Sequence, residues 1–189
     1  MANHISNYIE IRNSNQAVLA YMEWVFERID GQYDTGTEEL AKKVYGEEYP
    51  AEYNRGWVID NCGAKWFNGI IDESGDDYIN IQMQSAWDPP SDWIVRLTEK
   101  LLSIKNDIII TNTYEDEAYN FVGVHLCAKF EEKHTLIDID NYDLETIWED
   151  CDERDRLYDE QYAVKEVLLT DYTEKLKEMG KNNGEYSLK

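Results

Sequence analysis

The chain has 189 residues, and its 40 acidic against 18 basic side chains leave a net charge of −22. A surface so negative repels a phosphate backbone, because nucleic-acid affinity comes mainly from cations that displace condensed counterions, so direct nucleic-acid binding is excluded first. Hydrophobic residues make up 42 % of the chain, with six Trp and fourteen Tyr; disordered acidic chains lack such rings, so this one is expected to fold around a core.

No run approaches the roughly 20 apolar residues that cross a bilayer. The segment Met1–Arg12 has neither a basic nor an apolar leader region, which predicts a soluble protein that stays in the cytoplasm and needs no membrane. Cys62, Cys127 and Cys151 are odd in number and widely spaced, and His4, His125 and His134 fall at no ligand spacing. They read as small buried groups in a reducing compartment, with no metal and no cofactor expected.

In chain order, His4–Arg12 alternates Ile5, Asn7, Ile9 and Ile11 against Ser6, Tyr8 and Glu10, the period of a strand with one buried face. Asn13 and Ser14 are placed to cap a helix whose stripe is Val18, Tyr21, Met22, Val25 and Ile29, ending at Gly31. From 32 to 56 the pattern weakens to one short helix around Thr37–Tyr45, and the segment reads as an insertion over one edge or face of the core. Lys65–Ile71 and Tyr78–Ser85 are two strands joined by the polar hexapeptide 72–77, a hairpin. Pro89 and Pro90 open a helix with Ile94, Leu97, Leu101 and Ile104 on its apolar face. Asp107–Tyr114, with three successive isoleucines, is a central strand; Tyr119–Phe130 and His134–Ile139 supply further strands.

Strand, helix, hairpin, helix, strand predicts an α+β domain over residues 1–140. Its topology is the ferredoxin-like split β-α-β arrangement, an antiparallel sheet with helices on one face. After residue 141 the character changes. Leu144, Trp148, Cys151, Tyr158, Tyr162, Leu169, Tyr172, Leu176 and Met179 follow four-three spacing, interrupted by Asp155 and Lys165. Unbroken, such a helix reaches about 55 Å. Either it breaks near Asp152–Arg156 and folds back on the sheet, or it projects and pairs with a second copy along its stripe, a possible homodimer. The break is favoured, because charges gather there, and residues 181–189 form a flexible tail.

Two segments carry a family likeness: Trp57-Val58-Ile59-Asp60-Asn61-Cys62-Gly63-Ala64-Lys65-Trp66, and Ser85-Ala86-Trp87-Asp88-Pro89-Pro90 with its following helix. With the opening Met-Ala-Asn leader, they resemble the YubB-type ferredoxin-like proteins of phages and conjugative plasmids, over about residues 1–127. The resemblance implies a fold and a genetic setting, without a settled activity. Cys62 stands where that pattern has an aromatic, and Ala64 where it has Thr. Trp57, Asn61, Lys65, Trp66 and Trp87 form a candidate ligand site if Gly63 lets Asn61 and Lys65 converge beside the indoles. The competing reading is that the tryptophans are core lids and Lys65 lies over an indole face.

Between Asp138 and Glu160 eleven carboxylates face two arginines, a local net of −9. The loop Asp138–Glu149 imitates a calcium loop at its first, third and twelfth places, but Tyr142 and Asp143 stand where an oxygen ligand and a Gly are required. The acidic residues therefore read as a partner-binding surface: Asp138, Asp140, Asp143, Glu145, Glu149, Asp150, Asp152, Glu153, Asp155, Asp159 and Glu160. Nothing in the sequence pairs a nucleophile with a base, and no phosphate cradle is present. The expectation is a non-enzymatic accessory protein of a phage or plasmid that binds a basic site on a host or phage protein, in one form by imitating nucleic acid in anti-defence. A structural or virion-associated component and a small-ligand module are the alternatives.

Overall fold

A computed structural model describes residues 3–27, 33–143, 147 and 151–185. The chain runs β1 (His4–Arg12), α1 (Gln16–Phe26), α2 (Tyr33–Tyr45), α3 (Arg55–Cys62), β2 (Phe67–Ser74), β3 (Tyr78–Ala86), α4 (Ser91–Ile104), β4 (Ile109–Asp116), β5 (Val122–Ala128), β6 (Glu131–Leu136) and α5 (Cys151–Glu185). It is an α+β fold with one six-stranded sheet in the order β2-β3-β1-β4-β5-β6, antiparallel at every pairing. None of its helices is long and apolar enough to cross a membrane among the described residues.

Alternation in β1 puts Ile5, Asn7, Ile9 and Ile11 on a buried face. Helices α1 to α4 close over that face, and Val18, Met22, Leu40, Val44, Val58, Leu97 and Leu101 share one core with Ile9, Ile11, Ile79 and Ile81. Each fully buried aliphatic of this kind stabilises the fold by about 1.5–3 kcal/mol relative to exposure.

Helix α1 differs from expectation at its start. Its N-cap is Asn15, whose side chain accepts from the amides of Ala17 and Val18 at 3.0 and 2.9 Å. Asn13 instead takes φ 59° and donates its amide to the Asp107 carbonyl. The helix ends at Phe26; Ile29 and Gly31 lie outside the described residues.

Segment 32–56 covers the β2 edge of the sheet, and its helix also enters the core. Leu40, Ala41 and Val44 of α2 are fully buried in the main core. The Thr37 hydroxyl donates to the Phe67 carbonyl and accepts from the Phe67 amide, both at 2.8 Å. That pair satisfies backbone groups at the outer edge of β2, which an open sheet edge would expose. Trp57 to Asn61 belong to a helix, α3, closed by Gly63 in the left-handed region at φ 84°. A Cβ at Gly63 would press on the Ser91 amide and the Asp92 carboxylate, at 3.2 and 3.1 Å, so position 63 requires glycine both for its φ and for close approach to α4.

The second face of the sheet is covered too, but only in part. Helix α5 is continuous through the Asp152–Arg156 stretch where the charge cluster suggested a break. Charges there do not interrupt it because they point away from the sheet or pair locally, Arg156 with Glu153 at 2.9 Å. Leu168, Leu169 and Tyr172 pack on Val124, Leu126 and Ala128 of β5. Leu157 closes a smaller cluster with Tyr119, Val122, Ile137, Tyr142 and Ile147. The chain's own sheet therefore takes Leu169 and Tyr172 of the stripe that the spacing offered to a second copy, while Tyr158, Tyr162 and Leu176 of that stripe stay exposed; β5 is buried on both faces.

Candidate functional site: an open half-sheet beside an acidic helix

Register decides what the uncovered half-sheet presents. On the face away from α1–α4, Tyr8 lies opposite Gln82, and Gln82 opposite Ile70. Ser6 and Gln84 form the neighbouring row, and Glu10 with Asn80 the next. Helix α5 stands along one side of this platform, leaving a groove of about 580 Å³ between Tyr162 and Lys165 on the wall and β1 and β3 on the floor. Such a volume falls within the range of small-ligand clefts, about 300–1,000 Å³.

At the foot of the wall, Glu10 receives the Arg12 guanidinium at 2.7 Å and the Lys165 ammonium at 3.3 Å. Arg12 also reaches Glu166 at 3.4 Å. Burial alone would raise the Glu10 pKa, but the Arg12 hydrogen bond and the Lys165 charge outweigh it and hold the carboxyl below its ordinary value. Lys165 also lies 5.0 Å from the centre of the Tyr162 ring. Outside the groove the Tyr158 hydroxyl donates to Glu115 at 3.4 Å; burial raises the Glu115 pKa, and Tyr158 and Arg154 moderate the rise.

The acidic residues divide. Asp152, Asp155 and Asp159 are exposed, and their i, i+3, i+7 spacing places them on one side of α5, opposite Leu157, Leu168 and Tyr172. Two others are held by neighbouring side chains: Glu153 pairs with Arg156, and Glu160 accepts from the Tyr142 hydroxyl. Asp138, Asp140 and Asp143 are exposed on the connection before the helix, where the Asp138 carboxylate accepts from the Asp140 amide at 3.2 Å. Glu145, Glu149 and Asp150 lie outside the described residues.

The tryptophan cluster does not converge. Trp57 packs edge-on against Tyr45 and Tyr49 with ring centres 5.0 and 4.9 Å away, and the Asn61 amide donates to the Trp57 carbonyl within α3. Trp66 is buried against His4. Lys65 sits 4.5 Å from the centre of the half-exposed Trp87 ring, the cation-over-indole contact that the packing reading expects.

No family model matches the chain, and no curated protein or solved structure matches it either. What it does chemically rests on its own side chains.

One buried set joins a thiol to an imidazole. The Cys127 sulfur is 3.0 Å from His125 Nε2, and Glu132 lies 3.4 Å from the same nitrogen. Burial, then the Glu132 charge, pushes the Cys127 thiol up to about 12. Burial, then the stacked His134, pulls His125 down to about 3. At neutral pH the thiol keeps its proton and the imidazole is uncharged, while both are sealed at 2 % and 0 % exposure. Cys127 is therefore no activated nucleophile.

Sequence reasoning missed the groove. Tyr8 stood out only as an aromatic on the polar side of β1, and Lys165 only as a break in an apolar stripe. Lys165 has its explanation across the groove, in Glu10 some 155 positions away in the chain.

Proposed function

We propose that the chain is a non-enzymatic interaction protein whose α5 ridge docks on a cationic site of a partner protein. The observation that carries this is the shared exposure of Asp152, Asp155 and Asp159 on the side of α5 turned from the sheet, in a chain of net charge −22. Among the described residues no ion pair engages Asp155 or Asp159. Carboxylates so placed steer a basic partner by long-range attraction, and they can occupy a cleft that otherwise takes phosphates. Anti-defence is one setting in which such imitation of nucleic acid operates.

The platform carrying the ridge is, on this reading, ferredoxin-like and related to the YubB-type proteins of phages and plasmids. Support comes from the order β2-β3-β1-β4, in which β3 lies between β1 and β2, and β1 between β3 and β4, with helices in both crossovers.

The test compares the parent with a triple variant, Asp152→Asn, Asp155→Asn and Asp159→Asn, as bait in a lysate of the cell that makes the protein. A partner held at low salt, released as salt rises and lost with the triple variant is the expected result. Equal retention by the triple variant, or no retained partner at low salt, refutes the reading.

A further inference from the structure

The open half-sheet differs from the rest of this molecule in charge. Along its floor two carboxamides, Asn80 and Gln82, lie with Tyr8 on the outward face of β1 and β3. The carboxylate at its centre, Glu10, is offset by Arg12 and Lys165. A nearly neutral, hydrogen-bonding floor inside a chain of −22 selects among ligands. A polyanion meets the charge of the whole molecule and Asp72 and Glu73 on the rim. A cation finds Glu10 already shared by two cations. An apolar ligand strands amide donors and acceptors without partners, at a cost of about 1–3 kcal/mol each.

An uncharged, polyhydroxylated ligand has none of these penalties. From this groove we infer a binding site for neutral oligosaccharides, independent of the acidic ridge. Each carboxamide presents an N–H donor and a carbonyl acceptor, the complement of a vicinal hydroxyl pair. Tyr8 and Tyr162 are 52 % and 58 % exposed, one on the floor and one on the wall. They offer ring faces to the C–H face of a pyranose. The groove volume of about 580 Å³ accommodates a short saccharide and not a folded domain.

Saturation-transfer NMR on the full chain tests this with maltotriose, cellotriose, laminaritriose and triacetylchitotriose, and with adenosine and cytidine as a second arm. Transfer to the ring C–H protons of at least one trisaccharide is expected. Tyr8→Ala should weaken that affinity by about tenfold, and Gln82→Ala should weaken it too, with the circular dichroism of both variants unchanged. The triple Asn variant of the α5 ridge should bind the sugar as the parent does, which separates this site from the proposed docking surface. No transfer to any of the four sugars, transfer to nucleosides alone, or sugar binding indifferent to both substitutions overturns the inference.

Discussion

Lys165 of α5 places its ammonium 3.3 Å from the carboxylate of Glu10 on β1, and this contact ties the C-terminal helix to the half of the sheet that it leaves open. Lys165 interrupts an apolar stripe, and its ammonium accounts for the interruption: it reaches Glu10 and lies over the Tyr162 ring at the same time.

Glu10→Gln should cost about 1–2 kcal/mol at neutral pH, because it removes the charged acceptor of three hydrogen bonds, two from Arg12 and one from Lys165. The Glu10 pKa is lower in the folded chain. Its stabilisation is therefore complete above the ordinary carboxyl pKa and fades as pH falls through the folded value. Urea titrations at neutral and acidic pH should show the parent and variant converging in acid.

His125 carries the opposite chemical group but the same sign of pH dependence. With its folded pKa near 3 and an unfolded value near 6.5, the unfolded chain binds the extra proton between those limits. Stability should therefore fall on acidification from about pH 6.5 towards 3, by up to about 1.4 kcal/mol per pH unit from this one residue. His125→Leu should flatten that part of the stability profile. A variant whose slope matches the parent's would show that other groups set it.

Leu168 and Leu169 anchor α5 on β5. Leu169→Ala should destabilise the fold by about 2–4 kcal/mol and loosen the helix first. Hydrogen exchange at the amides of α5 should accelerate more than at β1 or β3.

Gly123 faces Tyr114 across the β4–β5 ladder, where a Cβ would overlap the tyrosine ring and hydroxyl. Tyr114 is 2 % exposed and has no room to retreat. Gly123→Ala should cost about 1–3 kcal/mol, visible as a lowered Tm.

The two kinds of carboxylate on α5 should respond differently. Asp155→Asn with Asp159→Asn should leave stability within about 0.5 kcal/mol of the parent, since both side chains are exposed. Glu160→Gln weakens the contact with the buried Tyr142 hydroxyl and should cost about 1 kcal/mol. Denaturant midpoints of the two variants decide it.

Strand β1, the β2–β3 hairpin and helix α4 were legible because their apolar period is local: Ile9 and Ile11, or Ile94, Leu97 and Leu101, repeat within a few residues and face one core. Helix α3 and the core role of α2 were not, since Thr37 acquires its meaning from Phe67 and Leu40 from its place in the same core as Trp93. Nor did the residues around Gly63 reveal that Trp57 and Asn61 share a helix while Trp87 sits apart.

From composition and periodicity alone came the acidity, the α+β class and the helical character of the C-terminal segment, because charge adds along a chain and amphipathic period belongs to each segment separately. Tertiary structure alone decided that α5 lies unbroken across β5, that Asp152, Asp155 and Asp159 face outward together, and that Tyr8, Gln82 and Lys165 meet at one groove. Those relations depend on strand register and on which face each helix covers, and contacts between distant segments set both.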